Sequence, residues 1–82
     1  MLPNPKYFHI GDNRLYYGKY GGLDYSAGFE DGTASIPPEP IPVDEYDRQF
    51  YQHDLALQNA STPEARLDAH VKVIMGVYEL LF

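Results

Sequence analysis

The chain has 82 residues, enough for one small domain, and a domain of that size is marginal without a staple. It has no cysteine, which excludes disulfides and thiolate metal sites and leaves metal binding through oxygen. The net charge of −6 speaks against nucleic-acid binding, which needs a basic face, and against simple electrostatic attraction to anionic membranes.

In chain order, Met1 to Lys6 carries two prolines and reads as extended or irregular. No basic region followed by a long apolar run opens the chain, so no signal peptide is expected. No apolar stretch approaches the roughly 20 residues that span a membrane. Tyr7-Phe8-His9-Ile10 and Arg14-Leu15-Tyr16-Tyr17 are rich in β-favouring residues. Gly11-Asp12-Asn13 between them is turn chemistry, so a short hairpin is expected, with a poorly formed helix as its rival. From Tyr17 to Gly28 glycine holds four of twelve places, too many for long regular structure. That stretch is either a tight surface loop or a carbonyl-lined cation loop. Phe29 to Ile41 is a proline-containing acidic insert, expected to be an exposed excursion without chemistry of its own.

Pro42 stands where a first helix would begin, with acids in the first turn to complement the helix dipole. Tyr46, Phe50, His53 and Leu57 share one face of that helix, and Asp47, Tyr51 and Asp54 run beside it. A histidine moves a proton near neutral pH, and a carboxylate beside it can hold a hard cation. Asn59-Ala60-Ser61 closes the helix, and Ser61 or Thr62 caps a second one with Pro63 in its first turn. Leu67, Val71, Ile74, Tyr78 and Leu81 mark the buried stripe expected there. The short connection predicts antiparallel packing. Asp68, at the edge of that stripe, is either a solvated boundary residue or a partner of His53 across the helix pair. The apolar end Tyr78-Glu79-Leu80-Leu81-Phe82 is expected to complete the core; packing on another subunit or meeting lipid is the alternative. The whole is one mainly α domain, 1–82. It divides into an N-terminal segment 1–16 with a short hairpin, a glycine-rich loop 17–28, the insert 29–41, a first site helix 42–59 and a second helix 62–82.

Taken together, Tyr17-Gly18-Lys19-Tyr20-Gly21-Gly22, Pro42-Val43-Asp44-Glu45-Tyr46-Asp47-Arg48 and His53-Asp54 resemble the secreted phospholipase A2 superfamily. Its hallmark is a Tyr-Gly-x-Tyr-Cys-Gly-x-Gly calcium loop followed by Pro-Val-Asp-x-x-Asp-Arg-Cys-Cys-x-x-His-Asp. The likeness covers residues 17–57 and continues more weakly through Asp68. It implies that His53 is the general base that activates water and that Asp54 is the acidic Ca2+ ligand. Tyr20, Gly22 and Asp24 would offer backbone carbonyls to calcium, and the N–H of Gly22 would stabilise the oxyanion. Asp68 would hydrogen-bond the histidine. The implied activity is calcium-dependent hydrolysis of the sn-2 ester of glycerophospholipids at a membrane or micelle interface.

The departures are specific. Lys19, Gly21, Gln49, Phe50 and Ala56 replace family cysteines; cysteine-free relatives exist, the phospholipase domain of parvovirus capsids among them. Asp24 replaces a loop glycine, and Leu57 stands where the family has a tyrosine that bonds the second aspartate. The insert lengthens the path from loop to helix, and little chain precedes Tyr17 for the family's long first helix. A catalytically weak or inactive scaffold that binds lipid or a protein partner is therefore the alternative, and an unrelated small helical interaction domain the third reading. A secreted, virion-associated or intracellular setting and an oligomer are all left open.

Overall fold

The computed structural model describes residues 1–11, 14–22, 25–26, 29–30 and 41–82. Within them the two β-favouring runs pair as expected. β1 (Phe8–Gly11) lies antiparallel to β2 (Arg14–Tyr17), with His9 opposite Tyr16 and Ile10 opposite Leu15. Ahead of the hairpin, where irregular chain was expected, Pro5–Tyr7 forms a single 3-10 turn whose Asn4 side chain accepts from the N–H of Lys6. β3 (Tyr25–Ser26), in the glycine-rich loop, and β4 (Phe29–Glu30), at the head of the insert, form a two-residue ladder. Most of the proline-rich insert lies outside the described residues.

Consecutive residues of a strand point to opposite faces, yet Tyr16 and Tyr17 are both buried. The hairpin is covered on both sides. Tyr16 lies under the loop glycine Gly22, while the ring of Tyr17 stands edge-on to Tyr46 and Phe50, 6.3 and 6.1 Å away. Tyr16, Tyr17, Tyr20 and Tyr46 account for most of the buried apolar set, which places the main core between hairpin, loop and first helix.

α1 (Glu45–Asn59) starts three residues later than Pro42 suggested. Asp44 is its N-cap: Oδ1 accepts from the N–H of Asp47 at 2.8 Å, satisfying a donor the helix leaves over. α2 (Pro63–Leu81) begins as expected, with Thr62 Oγ1 accepting from Ala65 N–H at 3.1 Å and Pro63 in the first turn. The helices pair antiparallel. Gln49 meets Gly76, His53 meets His70, and Ala56 and Ala69 share a wall, so numbers rise on α1 as they fall on α2. A Cβ on Gly76 would come within 2.0 Å of Gln49 Oε1, so the Gln49 side chain lies directly over this glycine.

The buried stripe expected on α2 is on its outside. Leu67, Val71, Ile74 and Tyr78 are 64, 48, 65 and 58 % exposed; of the five, only Leu81 is half-buried. Ala69 is buried instead, with Val73, Gly76, Val77 and Leu80 half-buried in line with it. α2 carries two apolar stripes, and the one with small residues lets the backbones come close. The larger side chains therefore turn outward.

Candidate functional site

The site is built on one face of α1. Asp47 is wholly buried, and its carboxylate accepts from three backbone N–H groups: Lys19 at 3.0 Å, Tyr20 at 2.9 Å and Val43 at 2.9 Å. A buried charge is tolerated only with such compensation, and charge-assisted bonds are the strong ones. Tyr17 and Gly21 exchange both backbone bonds, at 2.7 and 2.9 Å, and close the turn that aims these donors. Gly18 sits in that turn at φ +60, with its Cα against the Asp47 carboxylate. A second tie runs from Asn4 N–H to Tyr17 Oη and from the Tyr17 hydroxyl to Asp44 Oδ2. Burial, then the bond to Asp44, push the Tyr17 hydroxyl up to about 12.

The loop so anchored packs on the helix. Tyr20 is buried against Phe50, Tyr51 and Leu55, with its ring 4.6 Å from that of Tyr51. Asp47, Phe50, Tyr51 and Asp54 stand at i, i+3, i+4 and i+7, one face of a helix. Asp54 therefore falls on the face that receives the loop. Its Oδ1 is 3.9 Å from Nδ1 of His53, and both side chains are largely covered, 15 and 20 % exposed. Desolvation, and secondarily the charge His70 would carry, lower the pKa of His53 from its ordinary value. The shift favours the neutral imidazole, the form a general base requires.

Nε2 of His53 is 3.0 Å from Nδ1 of His70. Asp68, the partner the resemblance implies, is elsewhere: its side chain is 60 % exposed and pairs with Lys72 at 2.9 Å. A recess of about 80 Å³ opens beside His53, walled by Gln52, Lys72 and Val73 among others, with room for a few waters. Val73 also begins a larger apolar groove of about 360 Å³ along α2, lined by Phe50, Ile74, Val77, Tyr78 and Leu81.

The structure thus brings together His53, Asp54 and the loop residue Tyr20, and it separates Asp68 from them. Gly22 is exposed at φ +151, beside the Tyr16 ring, a conformation suited to glycine. Asp24 lies outside the described residues. No three His, Asp or Glu side chains converge on a metal position among the described residues. The donor set implied for calcium needs no such cluster, because it takes one carboxylate, Asp54, and the rest from backbone carbonyls. Oxygen donors of that kind are the ones calcium takes. Sequence reasoning missed two residues. Asp47 was given no role although its place in the first turn was clear, and His70 follows only once Ala69 is known to face α1.

No helix among the described residues is long and apolar enough to cross a membrane. Comparisons of the chain with protein-family models, curated proteins and solved structures return no match.

Proposed function

We propose that the chain is a calcium-dependent phospholipase A2, hydrolysing the sn-2 ester of glycerophospholipids with a histidine-activated water. The observation that supports it is the docking of the Tyr17–Gly22 turn, through Asp47, onto the α1 face that carries Asp54 beside Nδ1 of His53. In this reading Nδ1 of His53 takes a proton from a water as that water attacks the ester carbonyl. The N–H of Gly22 donates to the carbonyl oxygen as it becomes an oxyanion. The proton on His53 then passes to the leaving alcohol, so no acyl-enzyme forms. Tyr20, Gly22, Asp24 and Asp54 would hold calcium, which when bound polarises the carbonyl and neutralises the developing charge. The groove that starts at Val73 offers an apolar wall to the acyl chain. The test is fatty-acid release from phosphatidylcholine micelles, expected with calcium, lost on chelation and lost in His53→Ala. Folded protein that releases none from neutral to alkaline pH overturns the reading.

The open apolar face of α2 favours a second reading, a phospholipase-like scaffold that binds lipid or a protein partner without catalysis. It expects vesicle binding that is unchanged in His53→Ala and weakened by Ile74→Asp, with no fatty acid released.

A further inference from the structure

We propose that His70 is the positioning residue of the base: it accepts a hydrogen bond from Nε2–H of His53 and so keeps the lone pair on Nδ1, the nitrogen that faces Asp54. The catalytic meaning of this rests on the hydrolase reading above; the geometry does not. Two neutral imidazoles whose nitrogens lie 3.0 Å apart share one proton, so one ring donates and the other accepts. His70 is exposed, and a neutral imidazole in water carries its proton on Nε2 by preference. That leaves its Nδ1 as the acceptor and makes His53 the donor. The opposite assignment puts the proton on Nδ1 of His53 and blocks it as a base.

Asp68 cannot share the task. Two residues apart on a helix are turned by about 200°, so a helix that presents His70 to α1 presents Asp68 to solvent, where Lys72 holds it. The buried Ala69 keeps α2 close enough for the imidazoles to meet. No carboxylate lines the recess. Nε2 of the base is therefore oriented by a neutral acceptor, and the carboxylate beside the ring, Asp54, lies on the Nδ1 side, 3.9 Å away.

The test is the tautomer of His53 in the nitrogen-15-labelled full chain, read by long-range proton–nitrogen correlation at a pH where both rings are neutral, alongside steady-state kinetics on phosphatidylcholine micelles. Wild-type His53 is expected as the Nε2–H form. His70→Ala is expected to add an Nδ1–H population to the ring's own Nε2–H preference and to lower kcat severalfold with KM unchanged. His70→Asn, whose Oδ1 takes the place of Nδ1, should restore both, and Asp68→Asn should leave the tautomer as in wild type. An unchanged tautomer in His70→Ala, or its loss in Asp68→Asn, overturns the proposal. The tautomer is read without substrate, so a wild type that shows the expected tautomer pattern but releases no fatty acid upholds the positioning and removes the hydrolase reading alone.

Discussion

Asp47 and Asp54 stand two helical turns apart on one face of α1 and serve different ends. Asp47 is fully enclosed by backbone donors from a loop and from the segment before the helix. Asp54 is nearly as covered, but its neighbour is an imidazole kept neutral. The first carboxylate is part of what holds the loop to the helix. The second is the one that the proposed hydrolysis would use. One helix thus carries an anchoring acid and the acid proposed for the site in the same stripe, and only their partners tell them apart.

The largest way to break this comparison is Asp47→Ala. It leaves the buried N–H of Tyr20 and the part-buried N–H groups of Lys19 and Val43 without their acceptor, so a loss of about 3 to 5 kcal/mol is expected in urea unfolding. Marginal domains of this size have little more than that. Asp54→Ala in calcium-free buffer is expected to cost less than about 1 kcal/mol, because the lowered pKa of His53 favours a neutral neighbour and no charge is left unpaired. Equal losses at the two positions would erase the distinction. Calcium sharpens the comparison next. An ion that binds only the folded chain stabilises it by about 2.7 kcal/mol at a hundred times its dissociation constant. That gain in melting temperature should vanish in Asp54→Ala. A gain that survives there moves the ion elsewhere, and no gain in wild type removes it. A smaller effect is expected at the loop's hinge. Gly18→Ala forces a side chain onto φ +60 with its Cβ 2.5 Å from Asp47 Cγ, a strain of about 1 to 3 kcal/mol. A melting temperature equal to wild type would mean the turn yields without disturbing the anchor.

These regions were unequally legible in the sequence, and the reasons are physical. The hairpin and the start of α2 were readable because turn residues and caps act locally, through Gly11 and Thr62. Even so, Pro42 drew the first helix three residues early, since Asp44 is the residue whose side chain reaches the Asp47 N–H. The spacing of His53, Asp54 and the loop was readable as a motif. What was not readable is the phase of α2. Its two apolar stripes look alike in sequence, and the choice between them depends on how closely Ala69 and Gly76 let α1 approach. That single phase explains two departures at once. Leu67 and Val71 turn outward, and Asp68 beside Leu67 turns out with them, leaving His70 to meet His53. The anchoring role of Asp47 was hidden for another reason: its backbone donors at Lys19 and Tyr20 come from a loop distant in sequence.

The smallest expected effect lies in pH, where the two regions should fail from opposite sides. The Tyr17 hydroxyl, which donates to Asp44, is pushed up from 10.0 to about 12 in the folded chain. The unfolded chain then gives up this proton first, so the stability it contributes is whole below pH 10.0 and is lost as pH rises toward about 12. His53 is shifted the other way, below its ordinary 6.5. The unfolded chain takes up that proton first, so the contribution is whole above 6.5 and is lost as pH falls through the folded value. Melting temperature against pH should therefore show an alkaline edge that belongs to the anchor and an acid edge to which the base contributes. Tyr17→Phe should flatten the alkaline edge, though not abolish it, because burial also raises Tyr46. His53→Gln should soften the acid edge while leaving the alkaline one intact. If Tyr17→Phe left the alkaline fall unchanged, the hydroxyl's tie to Asp44 would have no part in holding the hairpin to the helix. The anchor would then rest on Asp47 alone.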